Sequence, residues 1–393
     1  MSIDQRLRES LHRPADSDRE TEERAWHVVA AAAPAESARR QRPPLARRRL
    51  AAMLGGAALV AALAVSPPGA AVNNWIGDGL GVGVSVRHAP ASPTLRALPG
   101  GGELLVGSND AGASVVHADG SRRRLGPYRD VSWSPNGLFV AATRGRQLLA
   151  VTPTGEPRWA LTPSRGAASP RWAPSGLRIA YRSGDTLRVV AGDGSGDLEL
   201  MRRAGTIAPA WRPGSADELA VADGRGRIAL ISAVTGKRLW RSEPGLATAG
   251  LAWSSDGERL AALAPEAVNL LDGSGAPSGR LRPRDPAVFT ALAYSPTDRR
   301  LALVERGSGG DAIQIVSGGR LRRIFATAAT LRDPLWSPDG KWLLVSSPAA
   351  DQWLFLRTRR PHRVVALSSV AAQLDPGARF PAVPRPSGWC CAR

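Results

Sequence analysis

The chain of 393 residues is almost without lysine. Lys237 and Lys341 are the only two, so arginine carries nearly all of a formal charge of +18. The arginines are scattered along the sequence, whereas a nucleic-acid surface gathers its charge on one face. A nucleic-acid partner is therefore not expected, and a GC-rich coding bias explains the preference for arginine. Cysteine is equally scarce. Cys390 and Cys391 are adjacent near the end, which excludes an internal disulfide framework and any Cys-x-x-Cys pair, and says little about compartment. Three roles stay open for them: a vicinal disulfide, a bridge to another protein, or reduced packing beside Trp389.

Chemistry-bearing patterns are missing too. The five histidines, His12, His27, His88, His117 and His362, are isolated, with no metal-ligand spacing. No Gly-x-Ser-x-Gly elbow occurs. The acidic turns Asp119-Gly120, Asp193-Gly194 and Asp272-Gly273 do not belong to a loop that converges about six to eight oxygens on calcium. A metal held in a central channel by several repeats is the alternative left open. Gly79-Leu80-Gly81-Val82-Gly83 lacks the preceding strand and following helix of a dinucleotide loop. No catalytic, cofactor-binding or metal residue is assigned, no cofactor is expected, and the chain reads as a non-enzyme.

What is present is a repeat. A Trp-Ser-Pro-Asp/Asn-Gly-like phrase begins at Trp133, Trp172, Trp211, Trp253, Tyr294 and Trp336, at intervals of 39, 39, 42, 41 and 42 residues. A β-branched or leucine-rich run follows each copy. That period predicts four-stranded blades, and hence an all-β propeller. The repeat from Trp172 reads as a strand end and turn, strands over 177–181 and 187–190, an Asp193-Gly194 hairpin and a polar last strand. The aromatic head of each phrase is expected to wedge between blades. A seventh unit precedes Trp133, with strands over 103–106 and 114–116, but its head has decayed to Leu98-Pro99-Gly100-Gly101. Phe380-Pro381-Ala382-Val383 and Gly388-Trp389-Cys390 at the far end offer the missing strand. Seven blades closed by the C-terminal strand are predicted; six with an irregular cap are the alternative.

The longest apolar run is Leu50 to Val72, LAAMLGGAALVAALAVSPPGAAV, without a charge and preceded by Arg47-Arg48-Arg49. It is close to the roughly 20 residues that span a bilayer, and the arginines place its start in the cytoplasm. A cleaved leader is the alternative. The expected organisation is a cytoplasmic head over 1–49 with a short helix around Trp26 and a basic juxtamembrane stretch, a transmembrane helix over 50–72, an extracytoplasmic linker over 73–94, and a propeller over 95–393. Of 52 basic residues 11 lie in the head, as do 8 of 34 acids, which leaves residues 73–393 with a net charge of +15.

Trp133-Ser134-Pro135-Asn136-Gly137, Trp253-Ser254-Ser255-Asp256-Gly257 and Trp336-Ser337-Pro338-Asp339-Gly340 resemble the WD40-like Pro-Asp repeat of TolB-type β-propellers. The resemblance covers about residues 95 to 390, and a membrane-anchored form with a short head looks like actinobacterial proteins of this type. The resemblance implies a propeller of the kind that serves as a periplasmic protein-binding module or as a gating domain of serine peptidases; the chain departs from the periplasmic TolB protein in lacking its separate α/β domain and in keeping an anchor. The expected function is a non-enzymatic extracytoplasmic binding or scaffolding module tethered to the membrane as a single-pass protein. The partner is a protein, or an anionic cell-envelope polymer or lipid, met by arginines at Arg122-Arg123-Arg124, Arg299-Arg300, Arg322-Arg323 and Arg359-Arg360. The alternative is a transmembrane sensor that signals through the N-terminal helix. An enzyme with a site at the channel mouth ranks last.

Overall fold

The repeat phrase folds on itself, and each blade starts from that turn. In the computed structural model the Ser134 hydroxyl donates to Asn136 Oδ1 at 2.7 Å and accepts the Phe139 amide at 3.0 Å. Ser254 does the same with Asp256 and the Arg259 amide, at 2.6 and 3.0 Å. Ser337 repeats it with Asp339 and the Trp342 amide, at 2.6 and 2.9 Å. These serines are buried, and the bonds satisfy polar groups that burial would otherwise strand. Glycine closes each turn at positive φ: Gly137 at 68°, Gly257 at 70° and Gly340 at 65°.

The structure describes residues 87–88 and 95–391, apart from 109–111, 216, 248, 265, 285 and 375–382. The predicted head, the apolar segment 50–72 and most of the linker lie outside the described residues. Among the described residues no helix is long and apolar enough to cross a membrane.

Seven four-stranded antiparallel units are formed. Blade 1 combines Arg385–Cys390 with Glu103–Ser108, Gly112–Val116 and Arg122–Gly126. Blades 2 to 7 cover 131–161, 168–201, 210–241, 250–281, 288–327 and 332–368 in chain order. The six-bladed alternative is thereby excluded. Within the segment read as linker, Arg87–His88 pairs in parallel with Arg363–Ser368 as a fifth strand of blade 7. The middle strands are mostly buried and the outer strand is more exposed, as Val140–Arg144, Gln147–Val151 and Pro157–Leu161 of blade 2 illustrate.

The core lies between blades. Each head aromatic sits opposite a buried aliphatic residue of the next strand: Trp133 opposite Val140, Trp172 opposite Ile179, Trp253 opposite Leu260, Trp336 opposite Leu343. Trp172 then packs with Ala141, Leu148 and Ala150 of blade 2 as well as Ile179 and Tyr181 of its own blade. A large flat ring buries about 150–250 Å², so one residue cements two sheets. Trp211 Nε1 donates to the Arg171 carbonyl of blade 3 at 2.9 Å, and Trp336 Nε1 to the Ala293 carbonyl of blade 6 at 2.9 Å.

A second tier of tryptophans escapes the repeat phrase. Trp159, on the outer strand of blade 2, donates to the Gly192 carbonyl of blade 3 at 2.8 Å. Trp240 of blade 4 donates to the Gly273 carbonyl of blade 5 at 3.1 Å. Each indole lies flat on the next blade's outer hairpin. A Cβ on Gly194 would come within 2.7 Å of Trp159, and one on Gly275 within 2.6 Å of Trp240.

Closure follows the prediction. Trp389 faces Leu104 in the register that the other head aromatics hold. Its Nε1 donates to the Gly101 carbonyl at 2.7 Å, inside the decayed first phrase. Its ring meets Phe355 of blade 7 edge-on at 5.8 Å.

Candidate functional site

Four of the inner strands break register at one level. Blade 3 shifts between Ala180 and Arg182, opposite Ser169 and Pro170; blade 6 shifts at Thr290; blade 7 shifts opposite Asp333 and Pro334; blade 1 shifts opposite Ser387. The inner strands of blades 2, 4 and 5 pair without a shift. Ser169 and Asp333 both adopt φ of 52°, an uncommon conformation for a residue with a side chain. Proline follows each and cannot donate to a ladder. A bulge bends its strand and re-aims the neighbouring side chains.

Those side chains line a cavity of about 560 Å³ within the ring. The wall includes Ile207, Ala208, Ala249 and Leu331, which lead into inner strands. The cavity therefore opens on the face where each outer strand passes to the next blade. Four arginines contribute: Arg171 from blade 3, Arg306 from blade 6, Arg332 from blade 7 and Arg385 from blade 1. They come from the four blades whose inner strands are bulged. Blade 5 and the segment that enters blade 4 supply an apolar sector with Ile207, Ala208, Leu251 and Leu263.

Two of the arginines are neutralised. Arg306 makes a bidentate pair with buried Asp311, both contacts at 3.0 Å, and Arg385 Nε reaches Asp333 at 2.8 Å. Arg332 has no carboxylate within ion-pair distance among the described residues. Arg171 uses Nη1 on the adjacent Pro170 carbonyl at 2.9 Å and has no ion pair among the described residues. Burial and the positive charge of Arg385 push the Arg171 guanidinium below its ordinary value, while Asp130 acts in the opposite sense. Arginine stays protonated regardless, so the site keeps a standing positive charge. Thr290, on the same wall, carries a buried hydroxyl without a hydrogen-bond partner among the described residues.

The arginine pairs singled out from sequence turn out to serve the structure in large part. Arg300 has only 11% of its side chain exposed and joins Asp298 at 2.8 Å, the Thr358 hydroxyl at 2.6 Å and the face of Trp336 at 4.8 Å. Arg299 pairs with Asp256 and Arg359 with Asp298. Arg322 donates to the Thr358 carbonyl at 3.1 Å and to His362 Nε2 at 2.6 Å, while His362 Nδ1 donates to the Arg357 carbonyl at 3.2 Å. Neutral imidazole satisfies both contacts in one tautomer. Arg323 lies 3.9 Å from Glu305. Arg122, Arg123 and Arg124 stay exposed on the outer strand of blade 1.

The other residues considered from sequence have local roles. His117 meets Glu103 at 3.1 Å. Asp119, Asp193 and Asp272 each cap their own turn by accepting from Ser121, Ser195 and Ser274. Among the described residues no group of histidine, cysteine and acid could hold a metal. Cys390 and Cys391 are bonded to each other and rest against the blade 2 turn, where Cys391 Sγ would lie 2.6 Å from a Cβ on Gly137.

Compared with known proteins, the sequence matches no family model and no curated protein. Among solved structures it is similar to Kuenenia stuttgartiensis hydrazine synthase, at 16% identity over 58% of this chain and 76% of that one, with a TM-score of 0.47. It is similar to the Myceliophteria thermophila Cps50 (Swd1) β-propeller domain at 14% identity, over 62% and 86%, with a TM-score of 0.50. For the C-terminal WD40 domain of Sif2 the values are 13%, 70%, 84% and 0.52. The last two support one statement: this is a seven-bladed β-propeller with WD40-like structural neighbours.

Proposed function

We propose that the chain is a non-enzymatic binding or scaffolding module of TolB-like type, tethered by residues 50–72 with its propeller outside the cytoplasm, and that an acidic protein partner engages the channel mouth. The observation that carries this reading is the standing charge of Arg171 and Arg332 on a cavity wall that has a single acid, Asp333. A ring of loops around a channel is suited to recognition, and positive potential focused in a cleft favours an anionic partner. The charge-free run 50–72 and the arginines before it support the tether.

Crosslinking of the full-length protein in native membranes, followed by mass spectrometry, tests the reading. The wild type is expected to capture an acidic protein that the R171Q/R332Q double variant loses. A captured set that is identical for both proteins would overturn the assignment of the mouth. So would robust turnover of peptide, glycan or phosphoester substrates by the wild type. Protease added outside sealed cells should digest the propeller; full protection there would refute the topology.

A further inference from the structure

We propose that the funnel takes an extended peptide segment from the partner, with one acidic side chain clamped by Arg171 and an adjacent apolar side chain seated against blade 5. This rests on the reading of the channel mouth given above. The wall is divided. Arginines stand on blades 1, 3, 6 and 7, and the stretch contributed by blade 5 and the segment entering blade 4, with Ile207, Ala208, Leu251 and Leu263, carries no charge. A peptide that pairs an acidic with an apolar side chain matches both sectors. A phosphate polymer carries an anion on every unit and would set charge against the apolar sector, a desolvation without compensation.

The charge balance gives the same answer. Asp311 and Asp333 already answer Arg306 and Arg385, so the wall calls for one or two carboxylates and not a run of them. Arg171 is the natural partner of the first. A guanidinium has five N–H donors in a planar fork that matches a carboxylate, and the Arg171 fork spends one on Pro170. The bulge at Ser169–Pro170 aims it, and the Asp130 carboxylate holds that bulge by accepting the Ser169 amide at 2.9 Å. The volume is of the right order: about 560 Å³ falls within the roughly 300–1,000 Å³ of ordinary ligand clefts and holds a few residues of an extended chain.

The test uses the full-length protein in detergent-free phosphatidylcholine nanodiscs and fluorescence anisotropy. The probe is a labelled eight-residue peptide of alternating leucine and glutamate. Its glutamine counterpart, inorganic phosphate, a polyglutamate of equal length and phosphatidylglycerol vesicles compete against it. The leucine–glutamate peptide should bind, the glutamine form at least about tenfold more weakly. Arg171→Met should weaken binding about tenfold to a hundredfold, the loss expected for one charge-assisted contact. Arg171→Lys should retain part of the affinity, and Arg238→Met, exposed on the outer strand of blade 4, should change nothing. Unchanged urea midpoints for the arginine variants would show that the ring still folds. Equal binding of the glutamine peptide would overturn the proposal. So would polyglutamate, phosphate or vesicles competing as well as the probe, or full affinity in Arg171→Met. If the peptide fails while crosslinking still shows an acidic partner lost in R171Q/R332Q, the partner docks on the rim, and only the inserted segment is refuted.

Discussion

Replacing Trp389 by alanine should remove most of the stability of the ring. The indole is 8% exposed and packs in one cluster with Leu98 and Leu104 of the first repeat and with Leu344, Trp353 and Phe355 of blade 7. Truncating a buried tryptophan to alanine costs about 3–5 kcal/mol. The Gly101 carbonyl also loses its donor, which adds roughly 1 kcal/mol. Whole domains are stable by only about 5–15 kcal/mol, so a loss of about 4–6 kcal/mol leaves a marginal fold. Trp389→Phe keeps the ring contact with Phe355 and gives up the N–H, so it should cost about 1–2 kcal/mol. The assay is urea unfolding of the full-length protein followed by circular dichroism. Leu239→Ala, on the outer strand of blade 4 at 45% exposure, is the reference and should stay within about 0.5 kcal/mol of wild type. If Trp389→Ala shifts the midpoint no further than Leu239→Ala, the C-terminal strand does not hold the ring closed.

Three further outcomes are expected. Asp217 is buried and accepts from Ser175 at 2.6 Å and Arg178 at 3.1 Å across the blade 3 to blade 4 joint; Asp217→Ala should cost about 3 kcal/mol by leaving Arg178 unpaired, read as a fall in the urea midpoint. Burial alone raises the Asp256 carboxyl, but bonds from Ser254, the Glu258 amide and Arg299 outweigh it and bring it down to about 2. Because the folded value lies below the unfolded 3.8, its contribution is present above about pH 4 and lost as pH falls toward 2. Asp256→Asn should flatten the stability profile in that window alone, and an unaltered acid limb would contradict the linkage. Gly194→Ala should cost about 2–5 kcal/mol, since a backbone at φ of 89° and the overpacking of the new Cβ against Trp159 both contribute. In a Trp159→Ala background only the backbone penalty of about 1–2 kcal/mol should remain, and equal costs in both backgrounds would show that the indole does not press on that turn.

The blades were legible because their signals are local. A serine two residues before an asparagine or aspartate, with glycine next, is a self-bonded turn wherever it stands, and its aromatic neighbour repeats with it. Trp389 could be paired with the headless first repeat because one lacked what the other had. Trp159 and Trp240 carried no such phrase, although each lies 35 positions before the glycine it covers, Gly194 and Gly275. That spacing is a signal a reader could use. The funnel was not legible. Arg171, Arg306, Arg332 and Arg385 are spread over 215 positions, and only the ring brings them together. Neighbouring arginines drew attention in the sequence, but Arg299, Arg300, Arg322 and Arg359 are engaged with Asp256, Asp298, Thr358 and His362. Charge density along the chain is a poor guide where blades exchange ion pairs. Ser169-Pro170-Arg171 and Asp333-Pro334 are the local trace of the site: a small polar residue and proline interrupting a strand that otherwise should pair.

The shared first blade also sets the order in which the molecule can be completed. Trp389 and the carbonyl it binds are 288 positions apart, and Glu103–Ser108 receives its inner neighbour only from Arg385–Cys390. A chain emerging from the ribosome can form blades 2 to 6 as it lengthens, each from contiguous sequence. Blade 1 must wait, with Leu104, Leu105 and Val106 on an unpaired edge, until Arg385–Cys390 is made. A polypeptide stalled or clipped before residue 385 thus carries an adhesive strand, and such fragments should associate with one another or be cleared by quality control.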